Sequence, residues 1–200
     1  MQRGVCLISH TSAVIMASGF SRRMQQNKLF LIYKKQTFIE RTVETAQKAG
    51  FFEVIVVIRP EDYKKCNFPD NVRVVFNRQS NLGQSMSVRL GIMNVRGDHV
   101  MFLPIDQPLL TAKGLQKIAN FGDKKTIVVH FYDKNPRGPV FFGKYYFKEL
   151  MQVTGDTGGR SVRDRHKKNW VCLEFYDEQL KDIDTQREYA QLFSKKIEIK

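Results

Sequence analysis

Acidic residues are scarce in this chain: 20 Asp and Glu stand against 33 Lys and Arg in 200 residues, a formal net charge of +13. That imbalance favours anionic partners, whether nucleotides, nucleic acid or an acidic protein surface, and it says nothing about fold. A basic surface that serves solubility alone accounts for the same number. Cysteine is nearly absent. Cys6, Cys66 and Cys172 are odd in number and far apart, with no CxxC pair, which argues against a disulfide framework or a zinc knuckle and fits a reducing cytoplasm. No apolar run approaches the roughly 20 residues of a membrane helix. The opening "MQRGVCLISHTSAVIMASG" has a faint leader-like look, but His10, Thr11 and Ser12 interrupt its apolar run and Arg22 and Arg23 follow closely. It reads as a first core strand.

Several familiar chemistries are missing too. The four histidines, His10, His99, His130 and His166, show no metal-ligand spacing. No GxSxG elbow supports a serine hydrolase. There is no GxxxxGK[ST] phosphate loop, no GxGxxG dinucleotide turn, and no RNP, KH or double-stranded-RNA-binding pattern to turn the charge into an RNA module.

What is present is an alternation. "AVIMA" (Ala13–Ala17), "EVIVVIR" (Glu53–Arg59), "VRVVF" (Val72–Phe76), "HVMFLP" (His99–Pro104) and "TIVVH" (Thr126–His130) are nearly continuous apolar bursts. Strands buried on both faces of a parallel sheet have that pattern. Between them, Thr37 with Glu40 forms a capping box, Ile39, Val43 and Ala46 share a face, and Gly50 marks a helix stop. Further helices are expected over Ser85–Val95, from Thr111 to Gly122, over Lys144–Met151, in "RSVRDRH" after the "TGDTGG" turn, and from the Thr185/Glu188 capping box through about Phe193. Pro139–Phe142 reads as one more strand. The expected fold is one α/β domain over residues 1–200: Rossmann-like, doubly wound, a mostly parallel sheet with helices on both faces.

The stretch "AVIMASGFSRRMQQNK" carries the first chemical hint. A strand ending at Ala17 feeds Ser18-Gly19-Phe20-Ser21, whose backbone N–H groups can approach an anion closely. Arg22 or Arg23 can present a guanidinium fork to phosphate, and Lys28 a mobile point charge. By spacing alone, a surface turn with solvated cations is the favoured reading. Asp106 lies just past a buried strand, where a carboxylate faces the ligand crevice of an α/β sheet and can hold Mg²⁺; a turn residue before Pro108 is the alternative. Asp184 is either a cap of the last helix or a second carboxylate for the same ion.

"MASGFSRRMQQNKLFLIYKKQTFIERTVETA" resembles the signature of the MobA-like NTP transferase family, which includes molybdenum cofactor cytidylyltransferase and its guanylyl relatives. Ala17, Gly19, Ser21, Arg23, Met24 and Lys28 match; Ser18 stands where Ala or Gly is usual, and Gln25 where Gly is usual. "NLGQSMSVRLGI", "MFLPIDQPLLTAKGLQKI", "GPVFFGKYYFKELMQVTGDTGGRSV" and "DIDTQREYAQL" resemble the later motifs in the same order, with Gly138 in place of a common His or Asn and Glu188 in place of Asp.

The resemblance implies a cytoplasmic nucleotidyltransferase that joins a nucleoside monophosphate from an NTP, with CTP favoured and GTP also open, to the terminal phosphate of molybdopterin with Mg²⁺. Arg23, Lys28 and Asp106 would be catalytic, and Asp106 with Asp184 would hold the metal. Ala17, Ser18, Gly19, Ser21, Arg22, Gly83, Gln84 and Ser85 would bind the nucleotide. Gly155, Asp156, Gly158 and Arg160 would line the acceptor pocket. An apo molybdenum hydroxylase is the implied recipient of the product; a membrane partner is not expected. A sugar-phosphate nucleotidyltransferase and a non-enzymatic cofactor escort are the competing readings.

Overall fold

In the computed structural model, residues 7–132, 134–175 and 178–194 are described. Cys6 and the start of the leader-like stretch lie outside them. The strands and helices are, in chain order, β1 (Thr11–Ala17), β2 (Ile32–Tyr33), β3 (Gln36–Thr37), α1 (Phe38–Ala49), β4 (Glu53–Ile58), α2 (Pro60–Tyr63), β5 (Val72–Phe76), α3 (Gln84–Asn94), β6 (His99–Pro104), α4 (Ala112–Asn120), β7 (Ile127–Tyr132), β8 (Asn135–Gly143), α5 (Phe147–Leu150), α6 (Arg160–Arg165), β9 (Trp170–Glu174) and α7 (Gln186–Ser194). Lys144–Met151, expected as one helix, is a 3₁₀ turn over Lys144–Tyr146 followed by the short α5. Tyr146 there is fully enclosed in the core.

Seven strands form one sheet in the order β5-β4-β1-β6-β8-β7-β9, and β2 pairs with β3 in a separate hairpin. β5, β4, β1 and β6 run parallel. β8 is antiparallel to both its neighbours, and β7 and β9 are parallel. The sheet is therefore mostly parallel, as expected, with one reversed strand.

The continuous apolar strands are explained by burial on two sides. Along β1, Ala13, Ile15 and Ala17 pack with Ile39, Val43 and Ala46 of α1 and with Leu115 and Ile118 of α4. Val14, pointing the other way, packs with Val88 and Ile92 of α3 and with Leu150 and Val162. Alternate residues of one strand thus serve two cores, so neither face needs polar residues. The helix signals are also realised: Thr37 and Glu40 make both bonds of the capping box, and Gly50 takes a left-handed φ of 83° at the helix end.

The topology makes a crevice. From β1 the chain builds outward through β4 to β5, then returns to lay β6 on the other side of β1. Strand order reverses there, and ligands of open α/β sheets bind beyond the carboxyl ends at such a point. Ala17 ends β1 on one side of it; Pro104 ends β6 on the other.

A third, smaller cluster of Met24, Leu31, Tyr33, Phe38 and Ile183 sits over this end of the sheet, with Tyr189 and Leu192 of α7 packed on it. Tyr189 donates its hydroxyl to the Ile32 carbonyl at 2.7 Å, and the Gln186 amide donates to the Met24 carbonyl at 3.0 Å. These contacts fasten the last segment of the chain beside the loop that follows β1. Among the described residues, no helix is long and apolar enough to cross a membrane.

Candidate functional site

The loop after β1 is shaped around Lys28. Ser21 takes a left-handed conformation (φ 51°), its carbonyl accepts from Met24 N at 3.0 Å, and its hydroxyl accepts from Lys28 N at 3.1 Å. Gln25 is also left-handed, at φ 59°. A Gly is usual at that place in the motif the chain resembles, and a left-handed backbone is what Gly adopts most readily. The Lys28 side chain then turns inward and is only 7% exposed.

A buried ammonium needs partners. Lys28 Nζ donates to Asp106 Oδ2 at 3.0 Å and to Asp184 Oδ1 at 2.6 Å. Burial works against its charge, but the two carboxylates outweigh burial and leave its pKa above the usual lysine value. Arg23 adds a contact to Asp184 Oδ1 at 2.9 Å. The Asp106 carbonyl accepts from Ile183 N at 2.8 Å, so the end of β6 and the segment leading to α7 are joined by backbone as well.

Asp182 belongs to the same group, although sequence reasoning passed over it. It accepts from the Gln107 amide at 3.0 Å and pairs with Arg137 at 2.7 Å. Burial, then the nearby Asp106 charge, pushes its pKa up to about 6. A signal was available: in Asp182-Ile183-Asp184 the period of two puts both carboxylates on one side of an extended segment, with Ile183 turned into the core. Arg137 and Gln107 carried no comparable signal. Gln107 is 3% exposed and also donates to the carbonyls of Gly138 and Leu180. At Gly138 itself a Cβ would come within 3.1 Å of Pro104 Cγ, so little room exists there for a side chain.

Three cavities meet over this end of the sheet. A central one, about 270 Å³, is lined by Gly19, Ser21, Arg22, Arg23, Lys28, Asp106 and Asp184 among others. The second, about 300 Å³, shares the Gly19–Arg22 turn and Gln84, and adds Ser18, Phe20, Ser80, Asn81, Gly83, Ser87 and Asp156. The third, about 440 Å³, shares Gln84, Arg23, Asp106 and Asp184, and opens onto Arg137, Arg160 and Arg163 with an apolar wall of Val88, Phe102, Val140 and Phe142. One flanking cavity is neutral and polar with a single carboxylate. The other sets Arg23, Arg137, Arg160 and Arg163 against Asp106, Asp182 and Asp184 beside the apolar wall, and is cationic on balance.

The expected site residues distribute unevenly over these spaces. Ala17, Gly19, Ser21, Arg22, Arg23, Lys28, Asp106 and Asp184 all line the central cavity. Ser18 and Gly83 line the polar one. Ser85 is 2% exposed, and its hydroxyl is spent on the Gly155 carbonyl, so it pins one loop to another. Of the residues expected around an acceptor, Arg160 lines the cationic cavity, whereas Asp156 lines the polar one. Gly155 and Gly158 shape the turn: their φ values are +65° and +53°, and a Cβ on Gly158 would strike Gln84.

Two carboxylate oxygens aimed at one Nζ define a cation position of hard oxygen ligands, the donor set that suits Mg²⁺ or Mn²⁺ rather than softer metals. Among the described residues no three His, Cys, Asp or Glu side chains form a ready cage. An ion bound by Asp106 and Asp184 would take its other ligands from water and phosphate, as Mg²⁺ commonly does.

Comparison with known proteins adds a family and relatives. The family model described as "MobA-like NTP transferase domain" matches residues 13–170. The purine catabolism protein PucB of Bacillus subtilis (strain 168) is 28% identical over 190 residues, covering 88% of this chain and 92% of that protein. A probable molybdenum cofactor guanylyltransferase of Methanothermobacter thermautotrophicus is 29% identical over 133 residues, 62% of this chain and 66% of its own. Among solved structures, the Rv0371c homologue from Mycobacterium sp. strain JC1 superposes with a TM-score of 0.82 at 23% identity, over 93% of this chain and 96% of that one. Rv0371C of Mycobacterium tuberculosis, solved in complex with manganese, gives 0.75 at 22% identity, over 92% and 98%.

Proposed function

Since the chain belongs to the MobA-like NTP transferase family, and is a nucleotidyltransferase, we propose that it transfers a nucleoside monophosphate from an NTP to the terminal phosphate of a molybdopterin-type cofactor. The observation that carries this reading is the convergence of Lys28, Asp106 and Asp184 at the junction of two chemically unlike cavities. A triphosphate over the Gly19–Arg23 turn would meet backbone N–H groups, Arg22, Arg23 and Lys28. Its nucleoside, which carries no charge, suits the neutral polar cavity. An acceptor with a phosphate and a fused-ring body suits the arginine-lined cavity with its apolar wall.

The chain's own residues orient and neutralise. Lys28 and Arg23 offset charge on the triphosphate, and Arg137 and Arg160 draw in the anionic acceptor. An acceptor phosphate oxygen then attacks the α-phosphorus in line, the bond to the β-phosphate oxygen breaks, and pyrophosphate leaves with that electron pair. Direct attack of this kind needs no covalent enzyme intermediate. A divalent ion, which Asp106 and Asp184 would hold, would supply neutralisation of phosphate charge.

CTP is the donor the closing motifs favour, "GDTGGR" above all. GTP is the second reading, favoured by the names of relatives such as the Methanothermobacter guanylyltransferase. An acidic apo-hydroxylase as recipient of the product is supported by the net charge of +13 alone.

The test is direct. The protein is incubated with Mg²⁺, each of the four ribonucleoside triphosphates in turn, and molybdopterin, and pyrophosphate is measured. Release with one base and only with molybdopterin present is the expected result. Release that depends instead on a sugar phosphate overturns the acceptor assignment, and tight cofactor binding without turnover restores the escort reading.

A further inference from the structure

Asp62 is a buried charge that the transfer itself does not use. It lies in α2, outside the three cavities, and its side chain is 6% exposed. A buried carboxylate is costly unless its oxygens are bonded, and both of them are. Oδ2 accepts from Arg59 Nε at 2.7 Å and from a terminal guanidinium nitrogen of Arg59 at 2.6 Å. Oδ1 accepts from Asn27 Nδ2 at 2.8 Å.

The two partners lead to opposite ends of one loop. Asn27 Oδ1 accepts from Leu29 N at 3.1 Å and so caps the 3₁₀ turn, Lys28–Phe30, that carries Lys28. The Arg59 guanidinium, its plane fixed by two bonds to Asp62, lies 4.8 Å from the centroid of the Phe20 ring. Phe20 is 44% exposed, so the core does not hold it, and a cation over its face is attractive. One carboxylate therefore reaches residue 27 directly and residue 20 through a guanidinium. Arg22 and Arg23 lie between those two points.

The loop needs such a hold. Ser21 and Gln25 both sit at positive φ, which non-glycine residues keep only where the surroundings over-determine it. The Ser21 hydroxyl ties the loop to Lys28 N from within, and α2 braces it from outside. A helix of one turn is not stable alone, so α2 and the loop fix each other.

We propose that Asp62 is a positioning residue: through Arg59 and Asn27 it holds the loop between β1 and Lys28 in the shape that receives the triphosphate. The inference rests on the nucleotidyl-transfer reading of the site and adds to it a brace from outside the cavities. Charge alone predicts the opposite sign. A carboxylate behind a phosphate-binding loop repels the ligand, so its removal should tighten binding; loss of the brace should loosen it.

The test is calorimetric titration, without the acceptor, of the NTP that the unmodified protein binds most tightly, with Tm measured on every variant. Asp62→Asn should weaken that NTP about tenfold. Arg59→Lys keeps the cation but cannot both span Asp62 and lie flat on Phe20, and it should weaken the NTP about threefold or more. Adding Asn27→Asp to Asp62→Asn restores an amide–carboxylate pair with the roles exchanged, and most of the lost affinity should return. Glu53→Gln is the control for stability: it breaks the ion pair with Arg73 at the start of β4, the far end of that strand from Arg59. It should lower Tm and leave NTP affinity within twofold. Should Asp62→Asn fail to fold, Arg59→Lys decides. Unchanged or tighter binding in the brace variants, or a loss that Glu53→Gln reproduces, overturns the positioning role while the transferase reading stands. Failure of the unmodified protein to bind any triphosphate overturns both.

Discussion

Lys28 and Asp184, 156 positions apart in the chain, meet at 2.6 Å with Asp106 on the other side of the same ammonium. The lysine occupies the point where a divalent ion would contact both carboxylates. Lys28→Met removes that resident charge and leaves two carboxylates facing one another. The variant should therefore gain more from an added cation than the unmodified protein does. Saturating Mn²⁺ without nucleotide should raise its Tm by several degrees more than it raises that of the parent, although transfer activity falls. Equal shifts would show that the two carboxylates do not form one cation site.

In the proposed transfer, Asp106 is the carboxylate on which turnover should depend most, since it stands just past the end of β6. Asp106→Asn is expected to lower kcat by about 10² or more, a typical cost of removing a charge-stabilising group. Far-UV circular dichroism should remain that of the parent. Steady-state pyrophosphate release checks the first, and a rate within a few-fold of the parent would remove Asp106 from the reacting centre.

Two glycines near the site separate demands of the ligand from demands of the fold. A Cβ at Gly19 would meet nothing within 4 Å, so the free chain does not need glycine there. Gly83 has φ +94°, and its Cβ would fall 2.6 Å from the Gly155 carbonyl oxygen. Gly19→Ala should thus leave Tm unchanged and weaken triphosphate binding about tenfold or more by crowding the phosphates. Gly83→Ala should cost about 1–3 kcal/mol of stability. Thermal melts and NTP titrations on the two variants distinguish the cases.

The parallel half of the sheet was legible because each of its strands is buried on both faces and reads as an unbroken apolar run. β9 was not. It lies at the edge of the sheet, and in Trp170-Val171-Cys172-Leu173-Glu174 only Leu173 is fully buried. β8 was seen only as Pro139–Phe142 because its first half, Asn135-Pro136-Arg137-Gly138, has no apolar run; Pro136, Arg137 and Gly138 line the cationic cavity. The Ser18–Ser21 turn and Asp106 were legible for a related reason: they sit at the ends of those apolar runs. Asp182 meets Arg137 and Gln107 only through folding, across 45 and 75 positions of chain, and no local pattern announces such a meeting.

Arg160 lines the cationic cavity and remains exposed, so it can be removed without opening the core. Arg160→Ala should raise the KM for the acceptor about tenfold and leave the KM for the NTP within twofold. Arg163 lines the same cavity but is 5% exposed, bonded to Asp164 and set over the Trp170 ring. Arg163→Ala should lower Tm as well as acceptor affinity. If Arg160→Ala shifts both Michaelis constants alike, the two cavities do not divide donor from acceptor.

His130 makes the fold sensitive to acid independently of the site. It is fully enclosed on β7 with its ring 5.4 Å from that of Phe175. Burial above all, helped by the nearby Arg163 charge, lowers its pKa from 6.5 to about 4. The unfolded chain therefore takes up a proton near pH 6.5 that the folded chain refuses until about pH 4. Stability falls as pH drops through that window and then levels off, because below it both states carry the proton. The loss is on the order of 3 kcal/mol across the window. His130→Leu removes the proton site while keeping an apolar side chain of similar size. Urea unfolding at pH 7.0, 5.5 and 4.5 should show the variant losing less stability than the parent over that range. A variant that loses as much would assign the acid sensitivity to other groups, with the carboxylates around Lys28 the next to examine.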